Sequence, residues 1–198
     1  MKFGIIGFGK IARKFVASIN ATSGQVVAIG SYSLSAKDSY LQNNPAVKLY
    51  RNYDELLDDP EIQAVYIALP HAMHREWIIK ALTRKIPVLC EKPAVLSGAD
   101  MAEVLDEARK NDTYFLEALK TLFNEGTQKL VDDLPLIGKL EKIEANFCFD
   151  ATFMKASNSY LFDQVQGGAL NDVGPYLIGF ANALNKQPVV SVDSTCSK

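Results

Sequence analysis

From Lys2 to Leu119 the chain alternates between short apolar runs and longer segments of helical period. KFGIIG, QVVAIGS, AVKLY, AVYIAL, PVLC and TYFLEAL read as strands bounded by polar or turn residues. KIARKFVASIN, with Ile11, Phe15 and Ile19 on one side, and HREWIIKALTRK, with Trp77, Ile78 and Leu82 on one side, read as helices. SAKDSYLQNN, YDELLDD and GADMAEVLDEARKN complete the helical set. An apolar strand run with no polar alternation is buried on both faces. Strand-then-helix order supplies the crossovers that such a parallel sheet needs and the layers that cover it. The expected fold is α/β, a doubly wound parallel sheet over residues 1–120.

Within that frame the first strand-to-helix turn is Gly7-Phe8-Gly9-Lys10-Ile11-Ala12, a GxGxxA pattern. The pattern alone is weak, and its position after a strand and at the start of a helix gives it meaning. Gly7 permits the tight turn, Gly9 lets backbone approach a pyrophosphate, and Ala12 allows close helix–strand packing. The helix start offers unpaired N–H groups to the phosphates. This identifies a Rossmann dinucleotide site, against the alternative of a Gly-rich turn in another α/β fold such as a flavodoxin-like one.

In NAD sites an acidic residue about 20 residues further on binds the ribose 2′-OH. The corresponding stretch here is Ile29-Gly30-Ser31-Tyr32-Ser33, with Lys37 just beyond. No Asp or Glu precedes Asp38, whereas Lys2, Lys10, Arg13, Lys14 and Lys37 do. Ser31, Tyr32 and Lys37 suit a 2′-phosphate, so NADP is expected ahead of NAD, with NAD still open. The alternative for Lys37 is a solvated helix residue.

The strand PVLC ends in Glu91-Lys92-Pro93, and AVYIAL ends in Pro70-His71, both at the carboxyl edge where ligands of such sheets sit. With the phosphate loop, ALPHAMH at 68–74, EKP at 91–93, LEAL at 116–119 and GGALNDVGPY at 167–176, the chain resembles the Gfo/Idh/MocA oxidoreductases. The wording PHAMHREW, VLCEKP and LEALKTLF is most like their dihydrodiol dehydrogenase branch. The resemblance implies an NAD(P)-dependent enzyme acting on CH–OH groups of a sugar, polyol or diol. It implies that Lys92 reaches both nicotinamide and the reacting oxygen, and that Lys92–Pro93 is a cis peptide. It implies that Leu69, Pro70, His71 and Glu91 lie on the cofactor's nicotinamide side, and that Asp172 and Tyr176 complete the catalytic set.

Four residues apart on a helix, Asp172 and Tyr176 would share one face. Tyr176 as a core residue remains the alternative. Asn124-Glu125 stand where relatives often carry His-Pro, which removes one expected substrate contact. His71 and His74 have no third ligand at suggestive spacing, so no metal is expected.

After about residue 120 the pattern changes. FNEGTQKLVDDL and GGALNDVGPYLIGFANAL read as helices, while GKLEKIEANFCFDATF and PVVSVDSTCS alternate as half-buried strands do. Residues 121–198 are therefore expected to form a second, incomplete α+β substrate and oligomerisation domain. Unpaired edges and the apolar side chains Ile143, Phe147, Phe149, Val190 and Val192 would favour a homo-oligomer through this region. A substrate pocket lacking part of its wall would give low turnover. The alternative is a weakly active NAD(P)-binding regulator of the same fold.

Composition is that of an ordinary globular chain: 198 residues, 48% apolar, 22% charged and a net charge of −2. That balance gives no reason to expect nucleic acid or an anionic membrane as partner. No apolar run approaches the roughly 18 residues of a membrane helix. Cys90, Cys148 and Cys196 suggest no disulfide framework, which points to a reducing cytoplasm.

Overall fold

In a computed structural model the described residues are all except Asn20, 156–158, Lys186 and 196–198. They divide into two compact units, Met1–Ala118 with Ala151–Asp172, and Leu119–Asp150 with Val173–Lys198. A single cut near residue 120 does not describe this division, because residues 151–172 group with the first unit.

The first unit is a six-stranded sheet in the order β3-β2-β1-β4-β5-β6, with every pairing parallel. The strands are β1 (Lys2–Ile6), β2 (Gln25–Gly30), β3 (Lys48–Tyr50), β4 (Ala64–Ile67), β5 (Val88–Cys90) and β6 (Phe115–Glu117). Between them run α1 (Lys10–Ile19), α2 (Ser39–Asn43), α3 (Tyr53–Leu57), α4 (His71–Thr83) and α5 (Gly98–Lys110). This is the Rossmann arrangement, and its strand order reverses beside β1.

Period-two alternation divides the core between the two faces of the sheet. Ile6, Val65, Ile67, Val88 and Cys90 pack with α3, α4 and α5 through Leu56, Trp77, Ile78, Leu82 and Val104. Ile5, Ile29 and Tyr66 pack with α1 and α2 through Ala12, Val16 and Leu41. Phe15 stacks on Tyr66 with ring centroids 3.9 Å apart. Three helices are capped as their sequences suggest: Asp38, Asn52 and Ser97 accept N–H groups at the starts of α2, α3 and α5. The later part of this unit adds α7 (Thr152–Lys155), a 3₁₀ turn at Tyr160–Phe162 and α8 (Gly168–Asp172).

The second unit contains α6 (Glu125–Asp133), α9 (Gly174–Leu184) and 3₁₀ turns at Lys120–Phe123 and Leu134–Ile137. Two expectations are corrected here. The alternating segments at 139–150 and 188–195 form no strand among the described residues, so this unit is not α+β as it stands. A strand is held by a neighbour's N–H and C=O groups, and these two segments do not pair with each other. Residues 196–198 of the second segment, Cys196 included, lie outside the described residues.

The single Gly-led helix is two helices, broken at Val173. Pro175 lacks the N–H that a continuous helix would bond to the carbonyl of Asn171, and proline is tolerated in a first turn instead. Asp172 therefore closes α8, Tyr176 belongs to α9, and their shared helical face does not exist.

Candidate active site

The loops after β1, β2 and β4 open on one cleft of about 550 Å³ at the carboxyl edge of the sheet. Gly7 to Ile11, Ser31 to Ser33 and Ala68 to Pro70 line it. Gly7 has φ +86°, a region L-residues seldom adopt, and a Cβ there would sit 2.5 Å from the Ala68 carbonyl oxygen. Its N–H donates to the carbonyl of Gly30 at 3.0 Å, which ties the turn to β2. Gly9 is different: a Cβ built there meets nothing within 4 Å. The space over Gly9 is open to a ligand at the N-terminus of a ten-residue helix. This is the cradle a pyrophosphate needs, and the residues fit a dinucleotide.

No acidic residue lines the cleft, while Lys10 and Lys14 do. Arg13 is turned to other work. Its guanidinium pairs with Asp38, which raises the arginine pKa and lowers that of the carboxylate, and it lies 4.6 Å over the Phe8 ring. Arg51, just past β3, donates to the carbonyls of Ser31 at 3.1 Å and Tyr32 at 3.4 Å. Lys37 is exposed and is not among the cleft residues; its backbone N–H bonds Ser35 Oγ. Lys14 is legible in hindsight as the residue one turn beyond Lys10. Arg51 is not, because only the pairing of β3 with β2 brings it there.

At the end of β5 the chain is held from several sides. The Glu91 N–H donates to Ile67 O at 2.9 Å, and the Tyr66 hydroxyl donates to Glu91 Oε1 at 2.5 Å. Lys92–Pro93 is a cis peptide. The carbonyl of Pro93 lies 2.8 Å from His74 Nδ1, and the N–H of Ala94 donates to Glu117 Oε1 at 2.7 Å.

His74, fully buried, also lies 2.8 Å from the Leu69 carbonyl through Nε2. Both neighbours are acceptors, and a neutral imidazole offers one N–H. Burial still holds its pKa below the usual histidine value, against the pull of those carbonyls.

Lys92 points to Asp172. Its ammonium donates to Asp172 Oδ1 at 2.8 Å and to the Asp172 carbonyl at 2.5 Å, with the two side chains 12% and 22% exposed. A carboxylate so placed fixes the amine's direction; neither residue is among those that line the cleft. His71 donates from Nδ1 to the Gln166 carbonyl at 2.8 Å, and Gln166 Oε1 accepts the Ala72 N–H at 3.0 Å. His71 is 4% exposed and stands behind the cleft wall rather than in it. Burial lowers its pKa.

The structure thus brings Gly7, Phe8, Gly9, Lys10, Ile11, Ser31, Tyr32, Leu69 and Pro70 into one cleft. Ala12 packs into the core beneath it, and Glu91 is held on Tyr66. Tyr176 lies in the second unit, its ring centroid 5.8 Å from that of Phe147. Lys14, Ser33, Tyr53, Ala68, Met154 and Tyr160 complete the cleft beyond the expected residues. Met154 and Tyr160 reach it by a return of the chain more than 80 residues later, for which no local pattern exists. Among the described residues no group of three or more His, Cys, Asp or Glu could hold a metal ion.

Residues 1–118 match the model of an oxidoreductase family with an NAD-binding Rossmann fold, GFO_IDH_MocA. A trans-1,2-dihydrobenzene-1,2-diol dehydrogenase of Xenopus tropicalis is 31% identical over 185 residues, covering 90% of this chain and 55% of the relative. A scyllo-inositol dehydrogenase from Lactobacillus casei, solved with NAD(H) and scyllo-inositol, superposes with a TM-score of 0.77 at 19% identity, over 94% of this chain and 56% of that one. A 3-ketoreductase variant from Actinomadura kijaniata, solved with TDP-benzene and NADP, superposes with a TM-score of 0.77 at 26% identity, over 93% and 55%. The chain spans about half the length of the curated relatives it matches.

Proposed function

This chain belongs to the Gfo/Idh/MocA oxidoreductase family, and on that footing we propose that it is an NADP-preferring dehydrogenase or reductase acting on a secondary alcohol or carbonyl of a diol, polyol or sugar. The observation that carries the reading is the Lys92–Asp172 pair, 2.8 Å apart at the end of β5, beside the cleft that β1, β2 and β4 open. Gly7 to Ile11 would hold the pyrophosphate. Ser31, Tyr32 and Ser33, with Lys10, Lys14 and Arg51 as the nearby cations, would hold the adenosine end. An acid-free cleft with two lysines favours a 2′-phosphate over a bare 2′-OH. Lys37 is left as a long-range charge only.

A nicotinamide dinucleotide held by these residues would supply the hydride chemistry. Lys92 holds the substrate oxygen and gives or takes its proton, so that charge does not build up there as the hydride moves. Asp172 keeps the amine aimed at that oxygen. His74, Glu117 and Tyr66 act indirectly, by fixing the backbone and carboxylate on either side of Lys92.

The second unit is read as the oligomerisation region. No described apolar residue after Ala108 is in the buried core, and Phe147, Phe149, Val190 and Val192 stand between 43% and 96% exposed. Among the described residues no helix is long and apolar enough to cross a membrane. Cys90 and Cys148 are free thiols, in keeping with a reducing cytoplasm.

The test is a spectrophotometric assay of wild type and Lys92→Met with NADP and NADPH against diols, polyols, sugars and their ketones. The reading expects turnover that the variant loses. Saturable NADPH binding with no turnover on the whole panel would instead make the chain a nucleotide-binding regulator.

A further inference from the structure

One wall of the cleft is not supplied by the loops after β1, β2 and β4. It comes from Met154 of α7 and from Tyr160. Tyr160 sits on the β4–β5 side. Its ring meets the His71 ring edge-on, centroids 4.9 Å apart and planes at 82°. That histidine is itself fixed to the Gln166 carbonyl. The phenol also lies in the field of Asp172 and of Glu91 at the end of β5, which adds to the effect of burial in raising its pKa. With 38% of its surface exposed, Tyr160 is backed by protein on one side and open on another.

A dinucleotide laid across the point where the strand order reverses puts its adenosine half over β2 and its other half over β4 and β5. The geometry points to Tyr160 as the aromatic wall of the nicotinamide half, packing against the nicotinamide riboside of the bound dinucleotide. This rests on the dinucleotide reading above. Flat aromatic rings favour offset or edge contacts with one another, and a ring whose orientation is already set loses little freedom on making one. Ser159 holds the turn that carries it, its Oγ accepting the Leu161 N–H at 3.3 Å.

The test is calorimetric titration of wild type, Tyr160→Ala and Tyr160→Phe with two ligands, needing no turnover. One is NADPH. The other is adenosine 2′,5′-bisphosphate, which has the adenosine end and no nicotinamide. NADH and ADP replace them if NADH is the tighter dinucleotide. Tyr160→Ala is expected to weaken NADPH about five- to tenfold while leaving the bisphosphate within about twofold. Tyr160→Phe is expected to bind both as wild type does. Unchanged NADPH affinity in Tyr160→Ala overturns the inference. So does an equal loss for both ligands, which would mean damage to the whole cleft, and so does a Phe variant as weak as the Ala one, which would make the hydroxyl the active part. Wild type that binds neither ligand removes the dinucleotide reading itself, a result separate from all of these.

Discussion

Two glycines of the same turn do different jobs, and the difference can be measured. Gly7 is required by the fold: its φ is +86°, and a Cβ would meet the Ala68 oxygen at 2.5 Å. Gly7→Ala is expected to cost about 2 kcal/mol or more of stability, read by thermal or urea unfolding. The fold does not require Gly9, since its Cβ position is empty; the proposed pyrophosphate would. Gly9→Val should unfold within about 2 °C of wild type and bind NADPH more than about tenfold more weakly. A folded Gly9→Val that binds normally would remove the phosphate from this loop. Lys92→Met should lose turnover and keep cofactor affinity within about tenfold, about 1.4 kcal/mol; a fully active variant would make Lys92 structural. The two glycines were legible from their spacing between strand and helix, and Lys92 from the family resemblance of the EKP segment. Asp172 as the partner that orients Lys92 was legible through the family resemblance, whereas Tyr160 and Arg51 were not legible, because tertiary folding alone decides what they touch.

Among the elements, the six strands and five helices of the sheet were readable because apolar runs and helical period alternate along the chain, with side-chain caps at the starts of α2, α3 and α5. The break at Val173 is written in Pro175, although the apolar period continues on either side of it. The segments at 139–150 show the limit of period-two alternation: it describes a surface that could be half buried, and supplies no partner strand.

Helix α4 carries a further consequence. His71 and His74 lie in its first two turns, and burial, the largest cause for both, lowers their pKa values from an ordinary 6.5. The unfolded chain therefore binds protons that the folded one refuses. The stability these neutral rings contribute is complete above about pH 6.5 and is lost as pH falls below it, through the depressed folded values. The urea midpoint should be lower at about pH 5.5 than at about pH 7.5. An equal or higher midpoint at the acid end would show that the two rings are not held neutral.

For the whole molecule, the two units differ in kind. The first has both sheet faces covered, each by its own buried cluster, whereas the second has no described apolar residue in the core and exposes Leu136, Ile137, Val190 and Val192 at 75% or more. Apolar surface of this kind is what association buries. Light scattering at tens of micromolar should give a mass above that of one chain; a stable monomer would mean that the second unit covers itself in solution.

The first unit stands apart from that result: we propose that its cleft, at the ends of β1, β2 and β4, is a nicotinamide dinucleotide site that prefers the 2′-phosphate. Its most direct test is fluorescence titration of the purified chain with NADPH and with NADH. The account predicts saturable binding of one NADPH per chain, tighter than NADH. No saturable binding of either nucleotide would contradict the site, and equal or reversed affinities would contradict the preference.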